Sequence, residues 1–338
     1  PAGQRPARLQ AIVFAIPLVV LFLAAAVIPI RDYDGRVTWL PKARAIALEG
    51  STAGPFFQGE RGLNLHNRYP LLLPLDAATV MRLSNDTRNE AARWLYVLIP
   101  IALFVVLRTM LPSPWIAAAL PWLGVVAALE GGALAAYSDF ALAAFFGLAV
   151  LHLLDGDART AGLFAAFAVL TKNEGLTLAI ALLGAAIVTR RFRLWLLVPV
   201  MLAEGIVLAW RVRVPAAYDE QYEALLSTLP SKLERVPAAL AAIGRHAVSF
   251  PEWGIFWVAV AVAAVIAGRR VALPLVAMTL ALAAYVAALC VTSWRIEDLA
   301  PVAVNRLLLH LLVPAAYILE AALAGRNTEP ATAVTPDP

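Results

Sequence analysis

Ile28-Pro29-Ile30-Arg31-Asp32-Tyr33-Asp34-Gly35-Arg36-Val37-Thr38-Trp39-Leu40-Pro41-Lys42 is where this chain changes character. Residues 11–30, up to that point, form an apolar run long enough to cross a bilayer as a helix. Residues 31–92, beyond it, are polar and irregular. Asp32 and Asp34 stand at the exit of the run. Ionisable groups at the edge of hydrocarbon are expensive to keep there and read as functional by default, so this junction is where chemistry is expected.

The rest of the chain extends the membrane reading. Of 338 residues, 62% are hydrophobic and only 15% charged, and the mean hydropathy is +0.77; a soluble domain could not hide that much apolar surface. Windows of about twenty residues, the length that crosses roughly 30 Å of hydrocarbon, mark about ten candidate spans. They lie near 11–30, 93–111, 114–132, 138–154, 160–172, 175–189, 194–211, 253–268, 271–292 and 304–325. The fold class expected is therefore an all-α polytopic bundle. Arg5 and Arg8 ahead of the first run resemble the start of a signal peptide, but no small-x-small cleavage site precedes Arg31, and the run is read as a retained anchor.

Positive charge sets the expected orientation. Arg5, Arg8, Arg108, Arg159, Arg190, Arg191, Arg193, Arg269, Arg270 and Arg326 fall on every second side of such a bundle, which makes that side cytoplasmic and places both termini there. The expected organisation is one membrane domain over 1–325, with extracytoplasmic loops at 31–92 and 212–252 and a turn at 293–303. The 326–338 tail, rich in Pro, Thr and Asp, is expected to be disordered. Cys290 is the single cysteine, so no disulfide framework exists. The net charge of +4 comes without a basic stripe interleaved with aromatics, which argues against a nucleic-acid partner. No GxxxxGK[ST] loop is present for a nucleotide.

Two spans, 160–172 and 175–189, are too short to cross alone and meet at Lys172-Asn173-Glu174. A broken pair with charges at the break is tolerated only beside protein or a water-filled cavity, so the break is expected to face a cavity. In the first loop, Val37, Leu40, Ala43, Ala47 and Leu48 share one side of a helical pattern, with Arg36, Lys42, Arg44 and Glu49 elsewhere. This predicts a surface helix closed by Gly50. Ser51 to Gly62 reads as loop, and a second amphipathic piece runs from Leu75 to Leu83. Trp39, Trp94, Trp253 and Trp294 suit an interfacial aromatic belt.

Five motifs in order are similar to a known family. They are Asp34-(x4)-Trp39-(x2)-Lys42-Ala43-Arg44, Tyr69-Pro70-Leu71-Leu72-x-Pro74, Ala136-Tyr137-Ser138-Asp139, Leu170-Thr171-Lys172-Asn173-Glu174-Gly175 and Asn305-Arg306-Leu307-Leu308-Leu309-His310. Together they resemble the GT-C membrane glycosyltransferases. The closer likeness is to bacterial relatives of dolichyl-phosphate-mannose protein mannosyltransferases and of lipid A aminoarabinose transferases, and it covers roughly residues 10–325. The resemblance implies an enzyme of the bacterial inner membrane, working at the extracytoplasmic face in cell-envelope glycan synthesis. Its donor would be a sugar on a polyprenyl phosphate such as undecaprenyl phosphate, and its acceptor a glycan, lipid or protein hydroxyl. Against the larger members of that family, the last span is expected to close the chain without a soluble C-terminal domain.

Such a transfer needs a base for the acceptor hydroxyl, and Asp34 is the candidate. The departing phosphate needs positive charge, for which Lys172 and Arg306 are the candidates, supported by Arg68 and Arg295. The family pattern assigns Asp139 the task of orienting the acceptor or a basic side chain. His66, Tyr69, Tyr137 and Glu174 are candidate substrate contacts. Asp34 and Asp139 also suit plain helix N-caps, and Lys172 with Glu174 a structural ion pair. Asp32, Asp34 and Asp139 offer hard oxygen ligands to a divalent cation, but a monophosphate donor needs none and no metal is expected to be required. The rival reading is a lipid or sugar transporter, which would also show a broken pair and buried charge.

Overall fold

The computed structural model describes residues 4–30, 32–59, 66–129, 133–215 and 222–324. Arg31, the Gly131-Gly132 end of the expected third span, parts of both long loops and the 326–338 tail lie outside these. Among the described residues every regular element is helical. Helices satisfy their backbone polar groups internally, as an apolar surrounding demands.

Helix α1 (Gln4–Val27) leads to a π-helical turn, Asp34–Trp39, and then to α2 (Leu40–Glu49), α3 (Pro55–Gln58) and α4 (Leu72–Leu83). Next come α5 (Asn89–Met110), α6 (Pro114–Leu129), α7 (Asp139–Leu154), α8 (Ala158–Thr171), α9 (Asn173–Val188) and α10 (Leu194–Arg213). The second loop holds α11 (Tyr222–Ser227), α12 (Val236–Ala247) and α13 (Phe250–Trp253), and the chain continues through α14 (Phe256–Ala267), α15 (Ala272–Val291), α16 (Ile296–Leu309) and α17 (Leu312–Ala324).

Each expected span falls on helix, but not each is long enough to cross a membrane. Four runs meet both length and composition, namely Ala7–Val27, Asn89–Met110, Leu194–Arg213 and Phe256–Val291, the last containing the 3₁₀ turn Gly268–Val271. A fifth is gained if α16 and α17, bent by 52°, count as one span. Pro114–Val125 and helices α7, α8 and α9 are apolar but shorter. Helix α7 is buried on nearly every side, which is how an apolar helix behaves when neighbouring helices take the place of solvent or lipid.

Two hydrophobic clusters hold the molecule together. The larger runs through α5 to α10 and α14 to α17. The smaller joins the first loop to the bundle: Leu40, Ala43 and Ile46 of α2 meet Leu73, Ala77 and Met81 of α4 and Tyr96 of α5. Arg44 extends this join by donating to the Thr87 carbonyl at 3.0 Å and to Asn89 Oδ1 at 2.8 Å. Gly50 closes α2 as expected, at φ 68°, with its N–H bonded to the Ile46 carbonyl at 2.9 Å. Two assignments on this helix change. Leu48 points away from the cluster and is exposed, whereas Lys42 is 0% exposed. Its ammonium donates to the His66 carbonyl at 2.6 Å and lies 5.3 Å and 5.4 Å from the centres of the Trp39 and Tyr69 rings. Cation–π attraction and a carbonyl thus replace part of its water.

The break at Lys172 is a single extended residue, φ −159° and ψ 157°, between α8 and α9. What lets the two helices fold back so tightly is Gly175, where a Cβ would lie 1.8 Å from the Ala168 carbonyl oxygen. We expect Gly175→Ala to force this hairpin apart and displace Lys172. The cost should be that of an overpacked core, about 1–3 kcal/mol, read as a lowered thermal midpoint in detergent. A midpoint equal to that of the parent would show that the hairpin tolerates the methyl group.

Candidate functional site

Asp34 is delivered to its place by the end of α1 and by a close backbone approach. Arg93 of α5 donates to the Ala25 carbonyl, tying the last turns of α1 to the start of α5. A Cβ on Gly35 would lie 1.9 Å from the Ala135 carbonyl oxygen, so the π-helical turn and the turn before α7 sit backbone to backbone. Ala136 in that second turn has φ 58°, a left-handed conformation costly for a residue with a side chain. Isolated π-helical turns recur at functional sites because they re-aim side chains within a helix.

Arg306 of α16 joins the two acidic positions that lie far apart in sequence. Its Nη1 is 2.8 Å from Asp34 Oδ2 and its Nε donates to Asp139 Oδ2 at 3.0 Å. Its guanidinium carbon sits 4.4 Å from the centre of the Tyr137 ring. Burial, with the negative charge of Asp34 nearby, pushes the Tyr137 phenol up to about 12, so the ring stays neutral under ordinary conditions and serves Arg306 as an aromatic face. Asp139 Oδ1 accepts from Lys172 Nζ at 2.9 Å and meets His310 Nε2 at 2.9 Å. Lys172 Nζ is also 2.9 Å from Glu174 Oε1. Asp139 is 1% exposed at its side chain and Asp34 is 30% exposed, so the first is a buried hub and the second faces open space.

That space is a cavity of about 190 Å³ lined by Asp34, Thr38, Trp39, His66, Tyr69, Lys172, Glu174, Ala303, Arg306 and Leu307. The break between α8 and α9 therefore does border a cavity. Two buried polar atoms on its lining residues, Trp39 Nε1 and Glu174 Oε2, have no hydrogen-bond partner among the described residues. A buried donor and a buried acceptor left open together are most simply accounted for by a ligand that completes them.

Of the residues singled out in the sequence, Asp34, His66, Tyr69, Tyr137, Asp139, Lys172, Glu174 and Arg306 come together here. Arg68 and Arg295 do not. Arg68 donates through Nε and Nη2 to the Arg211 carbonyl, at 2.9 Å and 2.7 Å, and is used up in holding α10 to the first loop. Arg295 precedes α16 with its side chain 78% exposed, 3.6 Å from Glu297. Neither lines the cavity.

Asp139 does not act as a cap, since no side chain caps the start of α7 and both of its oxygens are turned to side-chain donors. Among the described residues no three His, Cys, Asp or Glu side chains gather as ligands. Trp39 and His310 are the residues the sequence reading passed over. At the position of Trp39 an interfacial aromatic belt accounts for a tryptophan without any further role. His310 carried a usable signal, because it lies four residues beyond Arg306, on the same helical face of an otherwise apolar run. Comparison of the chain with family models, with curated proteins and with solved structures finds no match.

Proposed function

We propose that this chain is a polytopic membrane glycosyltransferase of the GT-C type, moving a sugar from a polyprenyl-phosphate donor to an acceptor hydroxyl at the extracytoplasmic face of a bacterial inner membrane. In this reading about ten helical segments build the bundle, both termini are cytoplasmic, and the cavity opens outward. The observation that carries it is the Asp34–Arg306 pair on the wall of a cavity shared with Lys172 and Glu174.

The acceptor oxygen attacks the anomeric carbon as the bond from that carbon to the phosphate oxygen breaks. The hydroxyl proton passes to Asp34, and the electron pair of the broken bond stays on the phosphate, which Arg306 and Lys172 hold. Arg306 spends Nε and Nη1 on the two aspartates, leaving Nη2 for the phosphate. A phosphate bound at Nη2 shares the positive charge that holds Asp34, which weakens the Asp34–Nη1 contact and leaves the carboxylate more available as a base. Trp39 Nε1–H and Glu174 Oε2 are then available to sugar hydroxyls. No metal is required by this chemistry. A transporter would be expected to carry polar groups along a path through the molecule, whereas the linked ion pairs of this cluster gather at the π-helical turn, the start of α7, the break before α9 and the last turn of α16.

Purified protein incubated with a panel of polyprenyl-phosphate sugars and candidate acceptors, with products read by mass spectrometry, tests the reading. Free polyprenyl phosphate and a glycosylated acceptor are expected. Transfer from no donor, together with sugar-lipid movement across vesicles containing the protein, would overturn it in favour of transport. Arg306→Ala and Lys172→Ala are each expected to weaken binding of polyprenyl phosphate about tenfold or more, since hydrogen bonds to charged groups are worth about 1.5–3 kcal/mol. Unchanged lipid affinity in both variants would remove the phosphate clamp from the proposal.

A further inference from the structure

His310 lies outside the cavity lining yet touches the group on which both cations rest. We propose that His310, itself held by Tyr285, is a positioning residue that fixes the Asp139 carboxylate and through it the directions of Lys172 and Arg306. The kinetic part of this inference rests on the transferase reading; the structural part does not.

Asp139 has two oxygens and three donors. Oδ2 takes Arg306, and Oδ1 takes both Lys172 and His310. A carboxylate with only the two flexible cations against it is free to rotate and take one of them with both oxygens, letting the other drift from the cavity. The imidazole removes that freedom, because it is rigid and fully buried. It sits where α16 gives way to α17 across a 52° bend, so its position is set by the kink as well as by helical register.

The tautomer follows from the partners. An ionised carboxylate only accepts, so Nε2 carries the hydrogen and Nδ1 is left as acceptor. Tyr285 of α15 fills that role from behind, with its hydroxyl 2.9 Å from Nδ1 and its ring edge-on to the imidazole at 6.0 Å. A neutral imidazole bonded on both sides adds a donor to the cluster without adding charge to it.

The test compares His310→Leu, which removes the donor, with His310→Gln, which keeps a side-chain N–H able to reach Asp139. For Leu we expect transfer to fall about 10–100-fold, by analogy with the loss of a partner that orients a metal ligand, with weaker binding of polyprenyl phosphate and a folded protein. Gln should recover most of both. A purely packing role would predict the reverse, Leu tolerated and Gln not. Nitrogen-15 imidazole spectra supply a readout independent of turnover. The chain has four histidines, and the signal missing in His310→Gln belongs to His310. It should report an Nε2–H tautomer that is disturbed in Tyr285→Phe. Parental transfer in His310→Leu, failure of Gln to rescue, or an Nδ1–H tautomer would each overturn the proposal. If the parent transfers no sugar, the transferase reading falls while the spectrum still decides the network.

Discussion

Asp34→Asn is expected to fold, to bind the polyprenyl-phosphate donor and to lose transfer by about 10²–10⁴-fold, the usual worth of a general base. Asparagine keeps the shape of the side chain, and Arg306 keeps its bond to Asp139, so the buried cluster survives the change. What disappears is the group that accepts the acceptor's proton. The measurement is the initial rate at saturating donor, followed by mass spectrometry, beside a thermal midpoint and a donor-binding isotherm. Transfer at the parental rate would reduce Asp34 to a counter-ion for Arg306 and remove the base from the mechanism.

Asp139→Ala should act on the fold first. Removing one member of a buried ion cluster leaves uncompensated charge and is strongly destabilising, by about 3–5 kcal/mol. Here the loss falls on two cations at once. Lys172 keeps Glu174 and Arg306 keeps Asp34, so the effect is expected within that range rather than beyond it. Asp139→Asn, which retains an acceptor oxygen, should be milder. Thermal unfolding of the three proteins in the same detergent checks the order. An Asp139→Ala variant with the parental midpoint would mean that the hub is not what holds the α7, α8–α9 and α16 elements together.

The two aspartates show how differently two acidic residues can be read from sequence. Asp34 stands at an abrupt boundary between apolar and polar chain, and that contrast is local, so it was visible directly. Asp139 stands at the start of a span, where a plain N-cap explains it equally well, and its functional role comes from its likeness to a family motif. Its three partners come from residues 172, 306 and 310, distant in the chain and brought close only by packing. Arg68 shows the opposite case. The sequence offers it as a supporting contact for the phosphate, but the carbonyl of Arg211, 143 residues away, takes its guanidinium. Lys42 belongs with it, since helical periodicity put it on the wet side and two aromatic rings with a carbonyl bury it.

The sequence by itself determined that the chain is apolar and, over its described residues, helical, with helices long enough to cross a membrane, a break at Lys172, a helix ended by Gly50 and charge concentrated after Ile30. All of these follow from local hydropathy, helix periodicity and backbone preference, which act over a few turns. The surface position expected for the helix ended by Gly50 is not found, because most of its side chains are buried. Only the tertiary structure decided that Arg306 bridges Asp34 and Asp139, that His310 and Tyr285 stand behind Asp139, that Arg68 and Arg295 stay away, and that α7 is enclosed by protein. The physical reason is that a buried ion is tolerated only where several distant donors converge on it, and that convergence is a property of how the helices pack.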